Sequence, residues 1–329
     1  MTAPEPAAVA IAGSGSIGVA FAVLFARAGR PVRVWDPYPE ALDRARAELA
    51  NRLDLLARHG LLVEDAAPVA ARVGFTGELG EAVAGAALVQ ECAPERVQLK
   101  RELFERIAGH APASAVLASS SSAIRASLIA EGLDDAVAAR LLIGHPGNPP
   151  YLLPVIEVVP SPRTDAAVAE RAAGIYAEAG LRPVMVRREV EGFVFNRLQG
   201  ALLREAYCLL RDGVASVADI DEVVRSGLGR RWSIIGPFET VDLNTRGGLA
   251  SHAEKMGPAY ERMGAERGQH DPWTEPLVAR AVAQRRELLP LAEWEQRVHW
   301  RDEELMRLTP EWDAAPQRWR SLREGSGGG

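Results

Sequence analysis

Apolar residues fall at two spacings through the first 190 positions. Short apolar runs occupy 9–12, "PVRVWD" (31–36), the stretch around Val73 and Phe75, "AALVQEC" (86–92), "SAVLASSSS" (114–122), "ARLLIGHPGNPP" (139–150), "YLLPVIEVVP" (151–160) and "RPVMVR" (182–187). These predict strands. Between them Ile17, Ala20, Phe21, Leu24 and Phe25 recur at helical spacing until Gly29 ends the run. Positions 39–59, 94–110 and 165–179 carry the same helical pattern. Strands alternating with helices predict a doubly wound, mostly parallel α/β sheet of the Rossmann type. After "RREVEGF" only helical periodicity remains, broken at "RDGVAS", "GLGRRWSIIGP" and "GQHDPW". The boundary is expected near 188–192, giving an α/β domain over 1–190 and a smaller all-α domain over 191–329. The last six residues, "EGSGGG" (324–329), are expected to be disordered.

Length agrees with two domains, since 329 residues exceed the roughly 250–300 at which single cores stop growing. A net charge of −6 gives no strong attraction to a polyanion, so no nucleic-acid partner is expected. Of 38 basic residues only Lys100 and Lys255 are lysine. Cys92 and Cys208 are too few for a disulfide framework and suit a reduced, cytoplasmic protein. No apolar run approaches the ~20 residues that span a membrane, and "MTAPEPAAVA" lacks the basic region and apolar core of a signal peptide.

The first strand runs into Gly13-Ser14-Gly15-Ser16-Ile17-Gly18. Gly13 allows a tight turn, Gly15 lets backbone approach a pyrophosphate, and Gly18 lets helix and strand pack closely. Ser16 and Ile17 open the helix, whose free N–H groups face the phosphates. Asp36 ends the next strand, 18 residues after Gly18, where it can accept from ribose hydroxyls. A carboxylate there repels a 2′-phosphate, which favours NAD over NADP; Arg33 lies inside the strand and Pro37 follows the acid.

In open α/β sheets ligands bind beyond the carboxyl ends of strands. Glu91, the serines 119–122 and His145 fall there. Glu157 follows His145 by 12 residues and interrupts an apolar strand, where a carboxylate is costly unless paired. A His–Glu pair would fix the imidazole tautomer and let its other nitrogen take a hydroxyl proton. A satisfied strand-end histidine, a solvent-facing edge carboxylate and a plain polar loop are the structural alternatives. Asn196 opens an apolar helix, where it could equally be an N-cap. No GxSxG surrounds the serines, and no HExxH, CxxC or carboxylate–His cluster suggests a metal.

"GSGSIG", "VQECAPERVQLKRELF", "LASSSSAI", "HPGNPPYLLPVIEVVP", "EVEGFVFNRLQGALLREA" and "WSIIGPFETVDLN" stand in this order. On these blocks the chain resembles the 3-hydroxyacyl-CoA dehydrogenase superfamily, in particular its lambda-crystallin / L-gulonate 3-dehydrogenase branch, from Val9 to about Leu308. The resemblance implies an NAD domain and a helical domain that supplies homodimer contacts. It implies a catalytic His145–Glu157 pair with Ser122 and Asn196, and places Asn148 on the substrate side and Glu91, Lys100 and Ser119 on the cofactor side.

Two departures bear on the substrate. "SSSS" stands where the acyl-CoA enzymes tend to have Ser-Asn-Thr-Ser, and Pro146 and Gly147 replace their bulky aromatics. These favour a small hydroxy acid such as L-gulonate, with Gly147 leaving room for other substrates. A 3-hydroxyacyl thioester, L-carnitine and a crystallin-like NAD-binding protein without turnover are the other readings. In "GLGRRWSIIGPFE", Arg231 is the expected carboxylate anchor, because its planar fork suits a carboxylate; a solvated surface position is the alternative. The stripe Leu198, Ala201, Leu202, Ala206, Leu209 and Leu210 is expected to bury in part against a second subunit.

Overall fold

Strand β1 (Ala8–Ala12) is apolar on both sides because helices cover both faces of the sheet it centres. Val9 and Ile11 join Phe21, Phe25 and Leu53 in one core. Ala10 and Ala12 face Leu103, Phe104 and Ile107 in the other. A computed structural model describes residues 7–269 and 274–297, with Trp300, Glu304, Arg307, Leu308, Glu311, Ala314, Gln317, Arg318 and Arg320. The tail 324–329 lies outside the described residues.

The other strands are β2 (Val32–Trp35), β3 (Val73–Thr76), β4 (Ala86–Glu91), β5 (Val116–Ser119), β6 (Leu141–Pro146), β7 (Val155–Pro160) and β8 (Arg182–Met185). They form one sheet in the order β3-β2-β1-β4-β5-β6-β7-β8. All neighbours are parallel except β6 and β7, which are antiparallel. The reversal follows from the short connection between β6 and β7, which has no room for a crossover helix. It sets His145 directly opposite Glu157 in the ladder.

The long helices Ser16–Arg27, Pro39–Arg58, Val97–Ala108 and Ala166–Glu178 stand where the apolar spacing predicts them. Four short helices, Ala66–Ala71, Leu79–Val83, Ala126–Ala130 and Asp135–Ala138, do not show in the pattern, since 4–6 residues are too few to display a helical period. Beyond β8 the described elements are helical, as expected: Phe195–Arg211, Val217–Glu222, Pro237–Asn244, Gly248–Glu266 and Glu275–Leu288 are the main ones. The expected break in "GLGRRWSIIGP" falls at 233–236, between the helices Gly229–Trp232 and Pro237–Asn244; a π-helical turn Val223–Leu228 keeps the first half of that segment helical.

The chain forms two compact units, Met1–Arg204 and Glu205–Gly329. This division lies C-terminal to the sequence-based boundary at 190/191. The reason is local: Val194, Phe195 and Asn196 all bond to residues of the sheet or its loops. Among the described residues no helix is long and apolar enough to cross a membrane. Cys92 and Cys208 are both free thiols.

Candidate active site

The glycine loop shows why each glycine is needed. Gly13 has φ +115°, and a Cβ there would stand 2.7 Å from the Cys92 carbonyl oxygen. A Cβ on Gly18 would stand 1.9 Å from the Gly13 carbonyl oxygen, so the helix packs on the turn only with glycine. A Cβ on Gly15 would meet nothing within 4 Å, which leaves its backbone open to a ligand. No side chain caps the helix that begins at Ser16, so its first N–H groups stay available to phosphate.

Asp36 is tied to this loop. Its Oδ2 accepts from the Ser14 N–H at 3.0 Å and the Ser14 hydroxyl at 2.8 Å, and its Oδ1 from the Tyr38 N–H at 3.1 Å. Loop and carboxylate line a cleft of about 880 Å³ together with Trp35 and Tyr38. Ribose hydroxyls at Asp36 and phosphates at the uncapped helix fit this cleft. Arg44, Arg96 and Arg106 also line it, and Arg106 lies 5.5 Å above the Trp35 ring. Sequence reasoning missed them because it weighed only the neighbours of Asp36 along the chain. Asp36→Ala is expected to raise the Kd for NADH about tenfold or more, the loss of a hydrogen bond to a charged group, and to narrow the gap to NADPH. A fluorescence titration of both cofactors checks this; equal affinity for both in the unmutated protein would overturn the selectivity argument.

At the far end of the sheet, the His145 Nδ1 lies 2.7 Å from Glu157 Oε2, and its Nε2 lies 3.1 Å from Ser122 Oγ. Glu157 Oε1 accepts from the Val194 N–H at 2.7 Å and the Phe195 N–H at 3.0 Å. Gly192 and Phe193 both adopt positive φ, 76° and 49°, and this bend leads the chain into the helix Phe195–Arg211 at the carboxylate. Burial alone would raise the Glu157 carboxyl. The bonds from His145, Phe195 and Val194 outweigh burial and hold it below the usual carboxylate range. The Phe193 ring is buried with its centroid 5.5 Å from the imidazole, and Phe195 stands edge-on at 6.1 Å. Asn196 donates from Nδ2 to the Ser122 carbonyl at 2.9 Å. The four residues proposed for catalysis therefore meet. The backbone donors at 194 and 195 left no sign in the sequence.

Other candidates are placed differently. Glu91, Lys100 and Ser119 are all buried, at 0%, 1% and 0% exposure, and none lines the cleft. Lys100 Nζ sits 2.8 and 3.0 Å from the two Glu91 oxygens, and Ser119 donates to the same carboxylate. Gly147 does not open space for a substrate either. A Cβ there would stand 3.0 Å from both Leu153 Cβ and Val155 Cγ1, so the space belongs to its own loop. Asn148 is exposed in that loop. Arg231 belongs to the second unit, half-buried on the helix Gly229–Trp232. Among the described residues no cluster of three or more His, Cys, Asp or Glu could hold a metal.

A doubly wound sheet with this glycine loop and acid, and a His–Glu pair beside a serine, define an NAD-dependent dehydrogenase. The chain belongs to the 3-hydroxyacyl-CoA dehydrogenase family: residues 8–190 match its NAD-binding domain and residues 192–288 its C-terminal domain. A lambda-crystallin homolog of Bos taurus is 39% identical over 260 residues, covering 78% of this chain and 80% of that one. An L-carnitine dehydrogenase of Streptomyces griseus is 41% identical over 268 residues, covering 81% and 76%. The solved structure of 5-formyl-3-hydroxy-2-methylpyridine 4-carboxylic acid 5-dehydrogenase, an NAD⁺-dependent dismutase, superposes with a TM-score of 0.69. It is 28% identical and covers 87% of this chain and 97% of that one.

Proposed function

We propose that this protein oxidises the 3-hydroxyl of a small hydroxy acid, L-gulonate or a close analogue, to the 3-keto acid, reversibly. The observation that carries the catalytic part is the Glu157–His145–Ser122 chain of hydrogen bonds, in which Glu157 and His145 are buried and Ser122 is exposed. Glu157 accepts from Nδ1–H and so fixes the tautomer that leaves Nε2 free to accept. His145 then takes the hydroxyl proton at Nε2 as the C–H bond breaks and the carbonyl forms. NAD, when bound, supplies the hydride acceptor. Ser122 shares the position next to Nε2 and can hydrogen-bond the reacting oxygen, while Asn196 holds the Ser122 backbone. Neutral imidazole is required for oxidation and imidazolium for reduction. An intact proton-transfer set argues against a purely structural NAD-binding role.

The substrate side rests on the departures from the acyl-CoA pattern at 119–122 and 146–147 and on Arg231. Arg231→Ala is expected to raise KM for a free hydroxy acid by about 1.5–3 kcal/mol, the range for a charged hydrogen bond, and to leave a CoA thioester little affected. Steady-state rates on L-gulonate, L-carnitine and a 3-hydroxybutyryl thioester decide the substrate. Preference for the thioester, or equal losses on both substrate types in the variant, would reject the small-acid reading.

A homodimer completes the proposal. No residue of the helix Phe195–Arg211 is buried within one chain, and Leu198, Leu202, Leu203, Tyr207 and Leu210 are exposed on it. A second copy covering this apolar surface is supported by its extent. Light scattering should give twice 35.4 kDa; monomers alone at micromolar concentration would count against it.

A further inference from the structure

Lysine is almost absent from this chain, yet Lys100, the only one in the first unit, is buried beneath the loops at the ends of β4 and β5. Its ammonium meets four oxygens: both of Glu91 at 2.8 and 3.0 Å, the Ala93 carbonyl at 3.1 Å and Glu95 Oε2 at 3.3 Å. A compact ammonium can gather acceptors around one point, whereas a planar guanidinium needs a flat, wider site. Glu91 in turn accepts from the Ala93 N–H at 2.6 Å and from Ser119. Burial pushes its carboxyl upward against the pull of Lys100.

The second glutamate reaches further. Glu95 Oε1 accepts from the Ser121 hydroxyl and from the Ala123 N–H at 3.3 Å. Ser121 Oγ also accepts from the Ile124 N–H at 2.8 Å. Ser122 lies between the two residues that Glu95 holds, and its own side chain points at the imidazole. The Ala123 N–H also donates to Ser121 Oγ at 3.3 Å, so the two neighbours of Ser122 are tied to each other as well as to Glu95.

We propose that Glu95, anchored by Lys100, is a positioning residue that clamps residues 121 and 123 so that the Ser122 hydroxyl is aimed at His145 Nε2. Glu91 and Ser119 form the fixed base of this clamp on β4 and β5. The clamp acts through Ser122 and therefore rests on the catalytic reading of that serine. It gives the acid in the loop after β4, Glu95, and the lysine on the helix Val97–Ala108 a shared role.

The test uses the full-length protein with labelled histidine, so that the His145 ring nitrogens are followed by NMR without cofactor or turnover. Ser122→Ala removes the contact to Nε2 and supplies the reference shift. Glu95→Ala should move the ring signals in the same direction as Ser122→Ala, and Glu95→Gln, which keeps an accepting oxygen for Ser121 and Ala123 but turns its N–H₂ toward Lys100, should restore them in part. Glu95 is half-exposed, so its loss should leave the fold intact. With the best substrate, Glu95→Ala should lower kcat about tenfold alone but less than about twofold in the Ser122→Ala background, the non-additivity of residues acting as one unit. A His145 ring unchanged in Glu95→Ala, or a full extra loss in the double variant, would overturn the clamp. A loss confined to NADH affinity with an unmoved ring would also overturn it and assign Glu95 to the cofactor. If Ser122→Ala and Glu95→Ala both move the ring but Ser122→Ala keeps full turnover, the clamp stands and the catalytic reading of the serine fails.

Discussion

His145→Ala should lower kcat by about 10²–10⁴-fold, the contribution of a positioned general base, while NADH affinity stays nearly unchanged. The imidazole stands at the end of β6, and the groups that fit the cofactor's phosphates and ribose are on β1, its glycine loop and the end of β2. The variant should fold, because Glu157 keeps its two backbone donors from Val194 and Phe195. Stopped-flow or steady-state turnover beside a fluorescence titration of NADH separates the two effects. Retention of more than half the wild-type rate would refute the mechanism.

Glu157→Gln has a comparable effect for a different reason. One Glu157 oxygen faces the His145 Nδ1–H and the other faces two backbone N–H groups. Glutamine offers one accepting oxygen, so its amide N–H₂ must oppose a donor on one side. Turnover should fall by about 10²–10⁴-fold, since an amide in place of the orienting carboxylate favours the wrong tautomer. Stability should fall by roughly 1–3 kcal/mol, the penalty of a buried donor left unpaired. The pH dependence has a definite sign. Hydrogen bonds hold the Glu157 carboxyl below its ordinary range, so this stabilisation is present above the ordinary carboxylate value and is lost as pH falls through the depressed one. The wild type should therefore lose this increment in acid, and the variant, having no such group, should show a flatter acid limb. Urea midpoints from pH 7 down to pH 3 measure it. Parallel curves for the two proteins would show that the carboxylate is not ionised in the folded state.

Much of the site is legible in sequence because its parts are local. Gly13, Gly15 and Gly18 act through backbone geometry within one turn, and a six-residue motif is enough to specify that. Asp36 is reached by one helix and one strand. Glu157 stands out as a charge in an apolar strand, and the pairing with His145 follows once a short connection forces the two strands antiparallel. The contacts among Glu91, Lys100 and Ser119 show the limit. Glu91 and Ser119 stand at the ends of strands as expected, but that they and Lys100 from the helix Val97–Ala108 bond to one another depends on how that helix packs on the sheet. At Gly147, Leu153 of its own loop and Val155 at the start of β7 occupy the space that a missing side chain suggested for substrate.

The sequence by itself determined the alternation of strands and helices and the glycine turn, since each is written in periodicity or in residues a few positions apart, and it offered His145 and Glu157 as a candidate pair through their places on successive strands. Only the tertiary structure decided what comes from distant segments. It brought Val194 and Phe195 onto Glu157 across 37 and 38 residues and Asn196 onto Ser122 across 74. It placed Arg44 and Arg106 around the cleft. It bonded Glu95 to both neighbours of Ser122. These contacts depend on how helices and loops stack on the sheet, and side-chain packing has no period along the chain from which such meetings could be read.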